Sequence, residues 1–131
     1  MIEWEKEIGA ISLFVEDLSR SRAFYERAFG MSAVNEDDVS VMFRFKNTLV
    51  FLTKVGAADE IIGPVPVAAP GGGARSEFAI IVADVDGVCA ELSDNGVTLL
   101  SGPSDRSWGM RTAIFTDPDG HVWEIAQQIE S

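Results

Sequence analysis

Two short stretches decide the fold: Phe14-Val15-Glu16-Asp17-Leu18 and Ile81-Val82-Ala83-Asp84-Val85. In each, an apolar run stops at an aspartate and a helix-like segment follows. Working outward from the first, Ile8 to Val15 reads as a strand, apolar apart from Ser12. Ser19 is placed to cap a helix that runs to Phe29, with Ala23, Phe24 and Ala28 as its apolar surface. Gly30 is a natural stop. A short strand is expected near Ser32 to Asn35. Val39 to Phe45 and Thr48 to Thr53 then read as strands joined at Lys46-Asn47.

The second stretch repeats this order. Glu77 to Val82 reads as a strand, and Val85 to Asp94 as a helix ended by Asn95-Gly96. Val97 to Leu100 and Met110 to Thr116 read as further strands. The turn Asp117-Pro118-Asp119-Gly120 leads into a last strand, His121 to Gln127. The chain is therefore one domain of α+β class built from two βαβββ modules. Module one spans about residues 8–55 and module two about 76–128. Residues 56–75, rich in Gly, Pro and Ala, connect them. They read as a linker, with a flap over a cavity as the alternative.

Composition narrows the function. The chain has 131 residues, 21 acidic and 10 basic, for a net charge of −11. That balance argues against a non-specific grip on nucleic acid or anionic lipid, and it suits either solubility or a cationic small molecule. Cys89 is the single cysteine, lies on an apolar helical stripe and is expected to be buried. Neither a signal-like leader nor an apolar stretch of spanning length is visible, so a cytoplasmic location is the default expectation. Gly71-Gly72-Gly73 lacks the Lys and following helix of a phosphate-binding loop, and no Ser–His–Asp arrangement is evident.

The opening segment Leu13 to Ser21, with Phe24-Tyr25 and Phe29-Gly30, and the closing segment Trp108-Gly109-Met110-Arg111, with Phe115, Asp117-Pro118-Asp119-Gly120-His121 and Glu124, resemble the vicinal-oxygen-chelate family. Its relatives include glyoxalases, bleomycin-resistance proteins and extradiol dioxygenases. The resemblance covers nearly the whole chain. It implies paired modules forming a curved mixed sheet around a cleft, and a homodimer. In the family's enzymes the cleft holds a divalent metal, and in its antibiotic-resistance proteins it holds a drug.

The resemblance also implies four ligand positions, on the first and last strands of each module. They fall at Ala10, Phe51, Glu77 and Glu124. Two of these have no donor atom, so no cofactor is expected, although Glu77 and Glu124 with waters could hold Mg²⁺ or Mn²⁺ weakly. Strand alternation adds Ser12 and Phe14 to the lining, along with Leu49, Thr53, Ala79, Ile81, Val122 and Ala126. His121 is expected to point outward from its turn. Trp108 is a candidate to stack on a flat ligand, with loop packing as its competing role. Trp123, Tyr25, Phe24 and Phe29 are expected in the core. Trp4 is a candidate dimer contact.

Two carboxylates about 4 Å apart repel by roughly 4 kcal/mol at an effective dielectric near 20. A metal, a cationic ligand, Arg111 or another arginine, or a shared proton would relieve that, and a solvated Glu77 is the plainer alternative. The leading expectation is a metal-free protein that binds or sequesters an aromatic, cationic, antibiotic-like compound. Phe14, Ser12, Phe51, Trp108 and Arg111 would contact it, with Glu77 and Glu124 as anionic anchors. The alternatives are a lactoylglutathione-lyase-like isomerase or a dioxygenase with a reduced ligand set, and metal-independent acid–base catalysis by Glu124 and Glu77.

Overall fold

A computed structural model describes residues 2–3 and 5–130, so Trp4 lies outside the described residues. Module one contains β1 (Ala10–Val15), α1 (Leu18–Phe29), β2 (Asn35–Glu36), β3 (Ser40–Arg44) and β4 (Leu49–Lys54). A single 3₁₀ turn, Val55–Ala57, and the short α2 (Ala58–Ile62) open the connector. Module two contains β5 (Glu77–Ile81), α3 (Val85–Asp94), β6 (Ser101–Asp105), β7 (Met110–Thr116) and β8 (Val122–Gln128). The sheets are β1-β4-β3-β2 and β5-β8-β7-β6, each with one parallel pair, and they remain separate. This is the expected α+β pair of βαβββ modules. The registers repeat as well: Ala10 pairs Leu49 and Ser12 pairs Phe51, as Glu77 pairs Val122 and Ala79 pairs Glu124.

The two aspartates that punctuate the sequence are helix caps. Asp17 accepts from the Arg20 amide at 3.0 Å, and Asp84 from the Gly87 amide at 3.1 Å. Each satisfies a donor that the first helical turn leaves free. The expected cap, Ser19, instead lies inside α1. Gly30, at φ 61°, ends that helix in the left-handed region.

Two strands lie elsewhere than expected. β2 falls at Asn35–Glu36, after the expected segment. Residues 97–100 are not a strand: Val97 is buried just past α3, its amide bonded to the Leu92 carbonyl, and Leu100 is exposed. The sixth strand is the polar segment Ser101–Asp105, with an irregularity between Ser101 and Ser104. It is an edge strand, which needs neither two apolar faces nor two partners. Gly102 is required there. Its φ is +84°, and a Cβ would sit 2.3 Å from the Thr112 carbonyl oxygen.

Helix α1 lies between the two sheets. The Tyr25 ring meets Phe43 of β3 on one side and Trp123 of β8 on the other, with centroids 6.0 Å away in both cases. Phe24 and Phe29 reach Phe115 of β7, and Phe29 also packs edge-on to Trp123 at 5.0 Å. Phe45 stacks on Trp123 at 5.6 Å. Tyr25, Phe43 and Phe115 are fully buried. Each large side chain buried in this way stabilises by about 1.5–3 kcal/mol.

The turn 117–120 fastens module two to the β1–α1 junction. Buried Asp117 accepts from the Tyr25 hydroxyl and from the amides of Asp119 and His121. Asp119 accepts from the Glu16 amide and the Ser21 hydroxyl. His121 Nε2 lies 3.0 Å from the Phe14 carbonyl, which makes it the protonated ring nitrogen.

This packing fixes which faces are free. The modules meet through their helix-side faces: Ile11 and Val50 share a cavity with Phe78, Ile80 and Trp123. Strand alternation therefore turns the opposite faces, carrying Ser12 and Phe51 in one sheet and Glu77 and Glu124 in the other, away from the core.

Candidate functional site

The outer face of module two is built from β5, β8 and β7. Glu77 and Glu124 lie diagonally across the β5–β8 pair, since Glu77 pairs Val122 and Glu124 pairs Ala79. Glu77 is exposed and Glu124 half-buried. The two carboxyls are close enough to interact, and the Glu124 carboxyl is held above the ordinary carboxylate range. Burial is the first cause, followed by the charge of Glu77 and the hydrogen bond to it, with Arg106 pulling the other way.

Arg106 is the cation at this face, and the sequence reading did not single it out. Its Nε donates to Thr112 Oγ1 at 2.9 Å and its Nη2 to Ser101 Oγ at 3.4 Å. Thr112 pairs Ala126 and Ile114 pairs Glu124, which puts Thr112 on the carboxyl side of the sheet. Arg111 pairs Gln127 and so points to the helix side, where it is bound to Asp86 at 3.0 Å and Asp105 at 2.8 Å. The Arg111 guanidinium, expected to contact a ligand, ties α3 to β6. The signal was parity, because Arg111 and Phe115 share a face and Phe115 is core.

On module one, Ser12 is exposed while Phe14 and Phe51 are half-buried. The connector packs over the Phe14 end. Val55, Ile62 and Val67 line a cavity of about 240 Å³ there with Phe14, Asp119 and His121. Thr53 and Ala126, expected in the lining by alternation, are buried and offer no contact surface. Trp108 is 66% exposed at the β6–β7 turn, beside Arg106 in the chain. Cys89 is buried, which raises its thiol pKa and leaves it a small core residue.

The model of the glyoxalase/bleomycin resistance protein/dioxygenase superfamily matches residues 7–125. The chain belongs to that superfamily. A glyoxalase/bleomycin resistance protein/dioxygenase from Nocardioides superposes with a TM-score of 0.86 at 22% identity, over 99% of this chain and 88% of that one. A glyoxalase-related enzyme from Fulvimarina pelagi gives 0.80 at 25% identity, over 95% and 89%. A virulence protein of Salmonella typhimurium is 26% identical over 127 residues, 93% of this chain and 84% of that protein. An uncharacterised protein of Mycobacterium bovis is 31% identical over 58 residues, so the chain matches only 38% of its length.

For a superfamily member, the donor set here is poor. The four positions at which the family resemblance implies ligands are Ala10, Phe51, Glu77 and Glu124. A methyl group and a phenyl ring offer no lone pair to a hard cation. Among the described residues, no group of three or more His, Cys, Asp or Glu side chains is placed to hold a metal ion. These residues do not fit a zinc-type catalytic centre, which takes three protein ligands and an open position. What the face does offer is two neighbouring carboxyls, with a guanidinium nearby.

Proposed function

We propose that two copies of this chain form a homodimer in which the outer face of module one closes against the outer face of module two of the partner subunit, and that the enclosed cleft binds a small aromatic molecule with a cationic group. One observation carries this reading: within a single chain, Tyr25 touches both sheets from between them, so the faces bearing Phe51 and Glu124 look away from each other. Further support comes from β1 and β5, which are free sheet edges, and from Ile81, which is 67% exposed on the Glu77 face. Exposed apolar surface beside free edges favours association. Phe14 and Phe51 would supply apolar contact, and Glu77 and Glu124 of the partner subunit the anionic anchor. A metal-free binding or sequestering role, as in antibiotic resistance, follows from this lining.

Light scattering and calorimetry with a panel of aromatic amines test this. A particle twice the 14.2 kDa chain mass, binding amines more weakly after Glu124→Gln, supports the reading. A monomer, or amine binding indifferent to Glu124, counts against it.

The raised pKa of Glu124 beside Glu77 favours a second reading, acid–base catalysis on a small metabolite as in a lyase or isomerase. Glu124, whose carboxyl is held above the ordinary carboxylate range, would take or give the proton. Turnover lost on Glu124→Gln and retained in the presence of a chelator would favour it over sequestration.

A further inference from the structure

We infer that Arg106 is an anion-binding group on the same face as Glu77 and Glu124, so that the ligand class is zwitterionic: an aromatic compound with an amine for the carboxyl pair and a carboxylate for Arg106. This deepens the proposed function and rests on it. Two hydroxyls, Thr112 Oγ1 and Ser101 Oγ, fix the guanidinium to the carboxyl side of the sheet. They use one N–H of Nε and one of Nη2, and leave three of the five donors of an arginine unused.

Three of the other six arginines are committed to carboxylates. Arg20 pairs Asp119, Arg22 pairs Glu26 and Glu36, and Arg111 pairs Asp86 and Asp105. None of the ion pairs among the described residues involves Arg106. It is half-buried and its hydrogen-bond partners are neutral, so its charge is offset only in part, by the nearby Glu124. A guanidinium with adjacent free donors recognises a carboxylate bidentately. Its field already reaches Glu124, which places both groups within range of one small ligand. In a chain of net charge −11, an anion would be repelled unless the same molecule also carried a cation for the carboxyl pair.

The test is a binding series on the full chain with three probes: benzylamine, benzoate and 4-(aminomethyl)benzoate. Protein-observed NMR titration reads each affinity in the unmodified protein, Arg106→Gln, Glu77→Gln and Glu124→Gln. The unmodified protein should bind 4-(aminomethyl)benzoate roughly tenfold more tightly than benzylamine, the contribution of one charged hydrogen-bonded pair. Arg106→Gln should remove that advantage while benzylamine still binds, and a native-like amide spectrum in the same titration shows that the variant is folded. No preference for the zwitterion, or a preference that survives Arg106→Gln, overturns the inference while leaving the amine-binding reading intact. If benzylamine binding is absent or indifferent to both glutamate variants, the proposed function falls, whereas benzoate binding lost on Arg106→Gln would still support the anion site. No binding by any probe overturns both.

Discussion

The Tyr25 hydroxyl donates to the buried Asp117 carboxylate at 2.7 Å, joining α1 of module one to the last turn of module two. Trp123 Nε1 donates to the same hydroxyl at 3.0 Å. One side chain thus satisfies a carboxylate and an indole that are both buried. Tyr25→Phe keeps the ring and removes both bonds. The variant should lose about 1–3 kcal/mol in denaturant unfolding, the cost of buried polar groups left unpaired. A loss under 0.5 kcal/mol, roughly the scatter of a neutral substitution, would mean that water replaces the hydroxyl.

The same phenol makes stability depend on alkaline pH. Burial, and then the charge of Asp117, push Tyr25 far above its ordinary value of 10.0. The folded state keeps the proton that the unfolded chain releases above that pH. Stability is therefore intact below pH 10 and falls as pH rises beyond it, by up to about 1.4 kcal/mol per pH unit. Tyr25 is the single tyrosine, so tyrosinate absorbance follows the event directly. Native protein should show none until it unfolds, and Tyr25→Phe should flatten this part of the stability profile.

Glu124 has a consequence of the same sign, at acidic pH. Its folded pKa is raised, so the native state holds a proton that the unfolded chain has lost. The stabilising protonation is complete below the unfolded carboxylate value and is lost as pH rises through the folded one. At pH 7 the pair is a cost. Glu124→Gln should raise the melting temperature slightly at pH 7 and lose that advantage near pH 4. Solvent screening keeps the gain below about 1 kcal/mol. A variant destabilised at pH 7 would show that the contact is a net attraction.

Asp17→Ala and Asp84→Ala should each cost about 1 kcal/mol, because each removes a side-chain acceptor from the first turn of a helix. Ser19→Ala should be close to neutral. Equal losses for Ser19 and Asp17 would place the cap where the sequence pattern suggested it.

What was legible in the sequence follows from local periodicity. Aspartate after an apolar run marked both strand–helix joints, and period-two alternation placed Glu77 and Glu124 on one face. β6 was missed because an edge strand of Ser, Gly, Pro and Asp carries no apolar pattern, while the more apolar Val97–Leu100 packs without forming a strand. Arg106 was missed because it reaches the site by folding back from a turn onto Thr112, a tertiary contact with no sequence period. The stacking of the sheets around α1 was out of reach for the same reason: it depends on which side of the helix each sheet takes.

Complementation between two disabled variants tests the central claim most directly. Phe51→Arg disables the module-one face and Glu124→Gln the module-two face, and each alone should bind benzylamine poorly. If the cleft spans two chains, mixing the variants after dissociation and reassembly creates heterodimers with one intact face pair. About a quarter of the sites should then recover full affinity, the statistical share for random pairing in a two-fold dimer. Mixed variants that form dimers yet recover no binding would contradict a cleft shared between subunits.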